Sequence, residues 1–167
     1  MSISSIVKRQ LKLLEGTRKN KWTGSTYEVL KLASPTEKGD WGEDTTTDIV
    51  NKILKIEAKR INKGKGPFDI LLTVILKTIE HKLATEDTNG GFQINGLRKD
   101  NKYDFAFLLG VSPEKLWFQM YRKKDLKLTT SMTSGGSDSF KKSIPLKKMI
   151  PLTAKNLMDM FEAFDLV

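Results

Sequence analysis

The sequence predicts an α/β fold of the α+β kind, a central mixed β-sheet flanked by helices, and three observations carry that expectation. Ser34-Pro35-Thr36-Glu37 opens a helix with a capping serine, a proline suited to the first turn and a glutamate three residues on. Apolar or alternating runs at 68–76, 77–84, 103–111 and 116–122 have strand length and strand composition. A last helical pattern begins after Thr153 and carries Leu157, Met160, Phe161 and Phe164. Helices placed before, between and after strands belong on the faces of one sheet.

Taken in chain order, residues 5–14 place Ile6, Val7, Leu11, Leu13 and Leu14 among basic residues and read as a short amphipathic helix, with a second helix expected at 26–32. The capped helix at Ser34 is expected to run to about residue 54. Gly39 and Gly42 lie inside it and each costs about 1 kcal/mol relative to alanine in a free helix, so close packing or a break near Asp40 is expected. Alternation over 53–61 predicts a strand and 62–66 a turn. Residues 92–99 are expected to be helical, and the polar, glycine-rich stretch 133–139 a loop. Trp41, Phe105, Phe107, Trp117 and Phe118 are expected in the core, whereas Trp22 sits among charges and reads equally as a packed loop aromatic or a DNA contact.

The chain has 167 residues, no cysteine, and 29 Lys and Arg against 20 Asp and Glu, a formal charge of +9. That length buries a core without disulfides, and thiolate metal sites are excluded. A single domain over 1–167 is expected, with its core at about 34–122, an N-terminal helical segment at 1–33, and a C-terminal loop and helix at 123–167. The first residues lack an apolar core of signal-peptide length, and no run approaches the roughly eighteen apolar residues of a membrane span, so a soluble cytoplasmic protein is expected. The positive charge favours a polyanionic partner.

The residues best suited to chemistry lie on two adjacent predicted strands. Asp69 opens the first, after Gly66-Pro67-Phe68, and Glu80-His81-Lys82 sits on the second. Side chains two apart on a strand share a face, so Glu80 and Lys82 point the same way and Asp69 is expected beside them. Two facing carboxylates repel unless a cation intervenes. A second acid-x-Lys string, Glu57-Ala58-Lys59, finds only helix-borne acids before it (Asp40, Asp44, Asp48), so Asp69, Glu80 and Lys82 are the preferred site. His81 should face away with Ile79 and Leu83 in a structural role.

This arrangement resembles the PD-(D/E)XK nuclease superfamily, the fold of many type II restriction endonucleases, over about residues 34–122. The resemblance rests on Asp69 as the first acid, Glu80 as the second, Lys82 as the lysine, and Glu43 in Gly39-Asp40-Trp41-Gly42-Glu43 as the upstream helix glutamate. Proline stands two residues before Asp69 rather than beside it, and His81 occupies a position more usually apolar. The resemblance implies a restriction-endonuclease-like core and hydrolysis of DNA phosphodiesters with Mg²⁺, or with Mn²⁺ as its substitute. Asp69, Glu80, the His81 backbone carbonyl and Glu43 are the implied metal ligands, since oxygen donors suit a hard cation. Double-stranded DNA is the implied partner and a homodimer the implied assembly. Lys59, Arg60, Lys63, Lys65, Gln93, Arg98, Lys141 and Lys142 are the expected DNA contacts, with Gln93 on a helix that follows the motif. A Holliday-junction resolvase, a homing or repair endonuclease, and a DNA-binding module without catalysis stay open.

Overall fold

The computed structural model describes residues 4, 5, 7–10, 12, 20–61, 66–128, 130, 131 and 139–167. The described residues among 4–12 are helical. Helix α1 (Glu28–Leu32) follows, and then α2 (Pro35–Ile49), which widens into a π-helical turn at Val50–Leu54. At the start of α2 the expected capping box is present: Ser34 Oγ accepts from the Glu37 amide at 3.3 Å, and Glu37 Oε2 accepts from the Ser34 amide at 2.8 Å. Each interaction satisfies an amide that the helix itself leaves without a partner.

Among the described residues nine strands form two sheets. Strands β1 (Ala58–Arg60), β2 (Ile70–Leu72), β3 (Lys77–Thr85), β5 (Phe105–Val111), β6 (Leu116–Arg122) and β9 (Ile150–Pro151) make a six-stranded mixed sheet in the order β1-β2-β3-β5-β6-β9. Only β3 and β5 run parallel. Strands β4 (Gly91–Arg98), β8 (Ser139–Pro145) and β7 (Thr130–Ser131) make a second, antiparallel sheet. Helix α3 (Ala154–Ala163), capped by Thr153 Oγ1 on the Asn156 amide at 3.2 Å, closes the chain where the sequence placed it.

Odd and even positions of the central strands face different layers. Ile79, Phe105, Phe107 and Leu109 pack with Val50, Leu54, Leu157 and Phe161 on the helical side. Ala84, Ala106 and Leu108 pack with Phe92, Ile94, Leu97 and Ile144 of the second sheet. The six-stranded sheet is thus covered by helices on one face and by the smaller sheet on the other, which is why β5 is buried at every residue. Phe105, Phe107 and Phe118 are core residues, as expected, while Trp41 and Trp117 pack partly buried at its margins. Trp22 is buried against Leu30 and Val111, which settles its reading as a packed loop aromatic.

Three expected elements differ. The strand expected over 68–76 is confined to Ile70–Leu72, and the chain turns at 73–76. The strand expected over 53–61 is confined to Ala58–Arg60, because the π turn carries helical structure to Leu54 and Lys55 ends it with φ 60°. Residues 92–99 form strand β4 rather than a helix. Phe92 and Ile94 face inward with Gln93 and Asn95 outward, the period of a strand, and an irregularity between Ile94 and Leu97, where Gly96 has φ 76°, turns Leu97 inward as well. The resulting three-residue spacing of Ile94 and Leu97 imitates helical periodicity. The stretch 133–138 lies outside the described residues.

Side-chain amides occupy the outer edges of the large sheet. Asn51 donates to the Ala58 carbonyl and accepts from the Ala58 amide, both at 2.8 Å, and Asn156 donates to the Pro151 carbonyl at 2.9 Å. Near the middle of α2, which continues unbroken past Asp40, Gly42 lies against β3: a β-carbon there would stand 2.6 Å from His81 Cε1 and 3.1 Å from Leu83 Cδ1. Alanine gains about 1 kcal/mol of helix propensity, whereas overpacking a rigid aromatic costs about 1–3 kcal/mol, so the clash wins. Gly42→Ala is expected to lower unfolding free energy by about 1 kcal/mol, and Gly39→Ala, which meets nothing within 4 Å, to raise it. Urea midpoints of the two variants check this, and a stabilised Gly42→Ala would refute it.

Candidate active site

Asp69 sits one residue before β2, its amide bonded to the Ile79 carbonyl, and so lies beside Glu80 across the β2–β3 ladder. Glu80 and Lys82 project from β3 toward the second sheet, where the Gly96 backbone approaches the lysine stem. The three expected residues are therefore brought together. Lys82 Nζ lies 2.6 Å from Glu80 Oε1, 3.3 Å from Asp69 Oδ2 and 2.9 Å from the His81 carbonyl oxygen. Asp69 Oδ2 also accepts from the His81 amide at 2.8 Å.

The electrostatics follow from burial. The Glu80 side chain is only 4 % exposed. Burial pushes its carboxyl above the ordinary value, Lys82 opposes this, and Asp69 reinforces it. For Lys82, burial works against the charged form, but Glu80 and Asp69 outweigh it and hold the ammonium protonated above its usual range. Nearby, burial and then Glu80 push the Tyr103 hydroxyl up to about 12.

His81 faces the helical layer with Ile79 and Leu83, in the structural role expected of it. Its ring stacks on Phe107 at 5.7 Å and its Nε2 pairs with Thr46 Oγ1 at 3.0 Å. Burial, with Lys82 and Arg60 adding to it, pushes the imidazole down to about 3. Between that value and 6.5 the unfolded chain binds a proton that the folded chain refuses, so stability falls as pH falls from 6.5, by about 1.4 kcal/mol per pH unit. The raised carboxyls of Glu43 and Glu80 work the other way above about 4.5, stability being lost as pH rises through their folded values. These remain in a His81→Leu variant and cancel in the difference. Relative to that variant, the wild type is expected to lose about 2 kcal/mol between pH 6.5 and 5. Parallel urea titrations giving a pH-independent difference would exclude a buried neutral imidazole.

Glu43 does not join the cluster directly. Its Oε2 pairs with Arg60 Nε at 2.7 Å, while Arg60 also reaches Asp44 at 3.0 Å and Asp40. Burial raises the Glu43 carboxyl, with Asp69 next in effect and Arg60 pulling back. Arg60 thus commits its guanidinium to three carboxylates of α2. Among the described residues no group of three or more acids, histidines or cysteines stands ready to hold a metal ion.

Of the remaining expected DNA contacts that are described, Lys59 stands on β1 and the other four share the second sheet. Lys59 is exposed on β1 and Arg98 at the end of β4, Gln93 and Lys141 are exposed on the second sheet, and Lys142 lies 5.3 Å from the Tyr121 ring. Gln93 stands on a strand, not on a helix, and donates to Asn95 at 3.2 Å. Lys63 and Lys65 lie outside the described residues. Sequence reasoning missed Asn101, whose Nδ2 lies 3.4 Å from Glu80 Oε2, because a polar loop residue carries no periodic signal.

The oxygens of Asp69, Glu80 and the His81 backbone already converge on one cationic atom, Lys82 Nζ. This hard, all-oxygen donor set fits a divalent cation such as Mg²⁺. No protein-family model matches the chain, and no curated protein matches it either. Among the described residues no helix is long and apolar enough to cross a membrane.

Proposed function

We propose that this chain is a Mg²⁺-dependent endonuclease of the PD-(D/E)XK type that hydrolyses phosphodiester bonds of double-stranded DNA, acting as a restriction enzyme and as a homodimer so that two sites address two strands. The observation that carries this reading is the convergence of Asp69, Glu80, the His81 carbonyl and Lys82 at one point across β2 and β3. Asp69, Glu80 and the His81 carbonyl would hold the ion, and the chemistry it supplies is Lewis acidity toward a phosphoryl oxygen. Lys82, kept protonated by its carboxylates, serves as a compact positive charge for the phosphate as negative charge builds in the transition state, rather than as a base. The His81 amide fixes the Asp69 carboxylate and Asn101 steadies Glu80, so the donor groups are positioned before substrate arrives. The net charge of +9 supports a polyanionic substrate.

Incubating purified protein with supercoiled plasmid and MgCl₂ tests this. Metal-dependent cleavage that Asp69→Ala and Lys82→Ala abolish is expected. Intact plasmid with the wild type, or undiminished cleavage by either variant, would overturn it. Discrete fragments from linear duplex separate a restriction enzyme from a resolvase, which would prefer a four-way junction.

A second reading, a DNA-binding module without turnover, is favoured by one observation: Lys82 already neutralises both carboxylates, and among the described residues no third acid stands with them. Calorimetry with Ca²⁺ in the presence of duplex separates the two. Binding heat lost in Asp69→Asn supports the nuclease, and none at millimolar cation supports the module.

A further inference from the structure

We infer that the groove between Lys77, Arg122, Lys123 and Lys124 is a subsite for the phosphate backbone of duplex DNA, gripping the strand beyond the reacting phosphate; this rests on the nuclease reading above. The groove encloses about 550 Å³ where the first residues of β3 and β5 meet the end of β6, and Tyr103, Asp104 and Phe105 complete its walls. None of these residues belongs to the acid and lysine cluster.

Two of the groove's four cations, Lys123 and Lys124, have no acid partner among the described residues, and the other two are weakly paired. Four cations face one acid, Asp104, and that carboxylate is engaged elsewhere: its Oδ2 accepts from the Thr78 amide and hydroxyl, both at 2.9 Å, and only Lys77 reaches its Oδ1, at 3.5 Å. Lys123 meets neutral groups, donating to the Asn101 carbonyl and lying 5.0 Å from the Tyr103 ring centre. Arg122 stacks on Phe164 at 4.9 Å and has only the 91 % exposed Asp165 carboxylate at 3.5 Å, a pairing that solvent screens. Lys124 is exposed at the mouth of the groove. Cations held by carbonyls and ring faces keep their charge available, and a bridging phosphodiester anion supplies what Asp104 does not.

The position of the groove ties it to the reaction. Asn101 joins the two places, taking Lys123 on its carbonyl and reaching Glu80 with its amide. Lys77 precedes Glu80 by three residues of β3, roughly 10 Å at strand rise. The odd spacing turns Lys77 to the opposite face of β3 from Glu80 and Lys82, so the groove lies at the end of the sheet. A strand whose phosphate meets Lys82 would reach the groove past Asn101 and Lys123. The contact reads no bases and would serve affinity and register alone.

The test is binding of a fluorescein-labelled 20-base-pair duplex, followed by anisotropy in EDTA over a series of salt concentrations. The proteins compared are wild type, Lys123→Glu, Lys124→Glu, and Lys155→Glu in the first turn of α3, outside the groove lining, as control. Lys123→Glu and Lys124→Glu are each expected to weaken binding about tenfold and to lower the salt slope by about 1, with the control near wild type. Lys124→Glu guards against a folding defect in Lys123→Glu, whose lysine also holds Asn101. Wild-type affinity and slope in both variants, or equal weakening in the control, would overturn the subsite. Because the assay needs neither metal nor turnover, the two readings fail separately. A wild type that binds through the groove but cuts nothing sinks the nuclease alone, one that cuts while both variants bind normally sinks the subsite alone, and absence of any duplex binding sinks both.

Discussion

Replacing Lys82 by methionine is expected to lower DNA cleavage by at least about a thousandfold and to leave a chain whose stability responds to divalent cations. The first effect follows from removing the one positive side chain in the cluster, a loss comparable to deleting a principal group that stabilises transition-state charge. The second follows from burial. With the ammonium gone, Asp69 and the nearly inaccessible Glu80 face one another without compensation, and removing one partner of a buried pair costs about 3–5 kcal/mol. Glu80, already raised by its surroundings, recovers part of that loss by taking a proton. The variant should therefore be more nearly native at pH 5 than at pH 8. A cation that binds only the folded chain stabilises it by RT ln(1 + [L]/Kd), so 10 mM Mg²⁺ (about 10 mM in the assay) should raise the urea midpoint of the variant at pH 8 more than that of the wild type. Cleavage at the wild-type rate, or a midpoint blind to Mg²⁺ in both proteins, would remove the case for a cation site between these carboxylates.

Arg60→Met is expected to destabilise the fold by about 3 kcal/mol, the largest loss predicted for a residue outside the cluster. The guanidinium is 12 % exposed and ties β1 to α2 through Glu43, Asp44 and Asp40. Most of the loss comes from Glu43, 13 % exposed and within the influence of Asp69, because it would be left as a buried unpaired acid. Asp44, at 66 % exposed, contributes little. Arg60→Lys should recover less than half, since an ammonium cannot fork across three carboxylates. Chemical denaturation measures both, and a loss under about 0.5 kcal/mol for Arg60→Met would place it among ordinary surface changes.

The two variants mark what was legible in the sequence. Asp69, Glu80 and Lys82 could be read together because strand side chains repeat every two residues and an acid on the neighbouring strand falls into the same face. The capping box of α2 was equally legible, since Ser34 and Glu37 satisfy each other within a single turn. The pairing of Arg60 with Asp40, Glu43 and Asp44 was harder. The acids sit three and four residues apart on one helix face, a visible signal, but which cation they meet depends on where β1 docks. The second sheet was least legible: β4 pairs Phe92 with Ile144 across a long span of chain, and the irregularity at Gly96 disguises its alternation. Such pairings are decided by tertiary packing rather than by local preference.

The two asparagine side chains at the margins of the large sheet have a consequence for assembly. At one end Asn51 supplies Ala58 with the donor and acceptor that a further strand would bring; at the other, Pro151 has no amide to offer and its carbonyl is taken by Asn156. An incoming chain would have to displace these amides before it could zip onto either border. A second copy would therefore find both borders of the large sheet taken, and two such sheets would stay separate rather than fuse into one continuous ribbon.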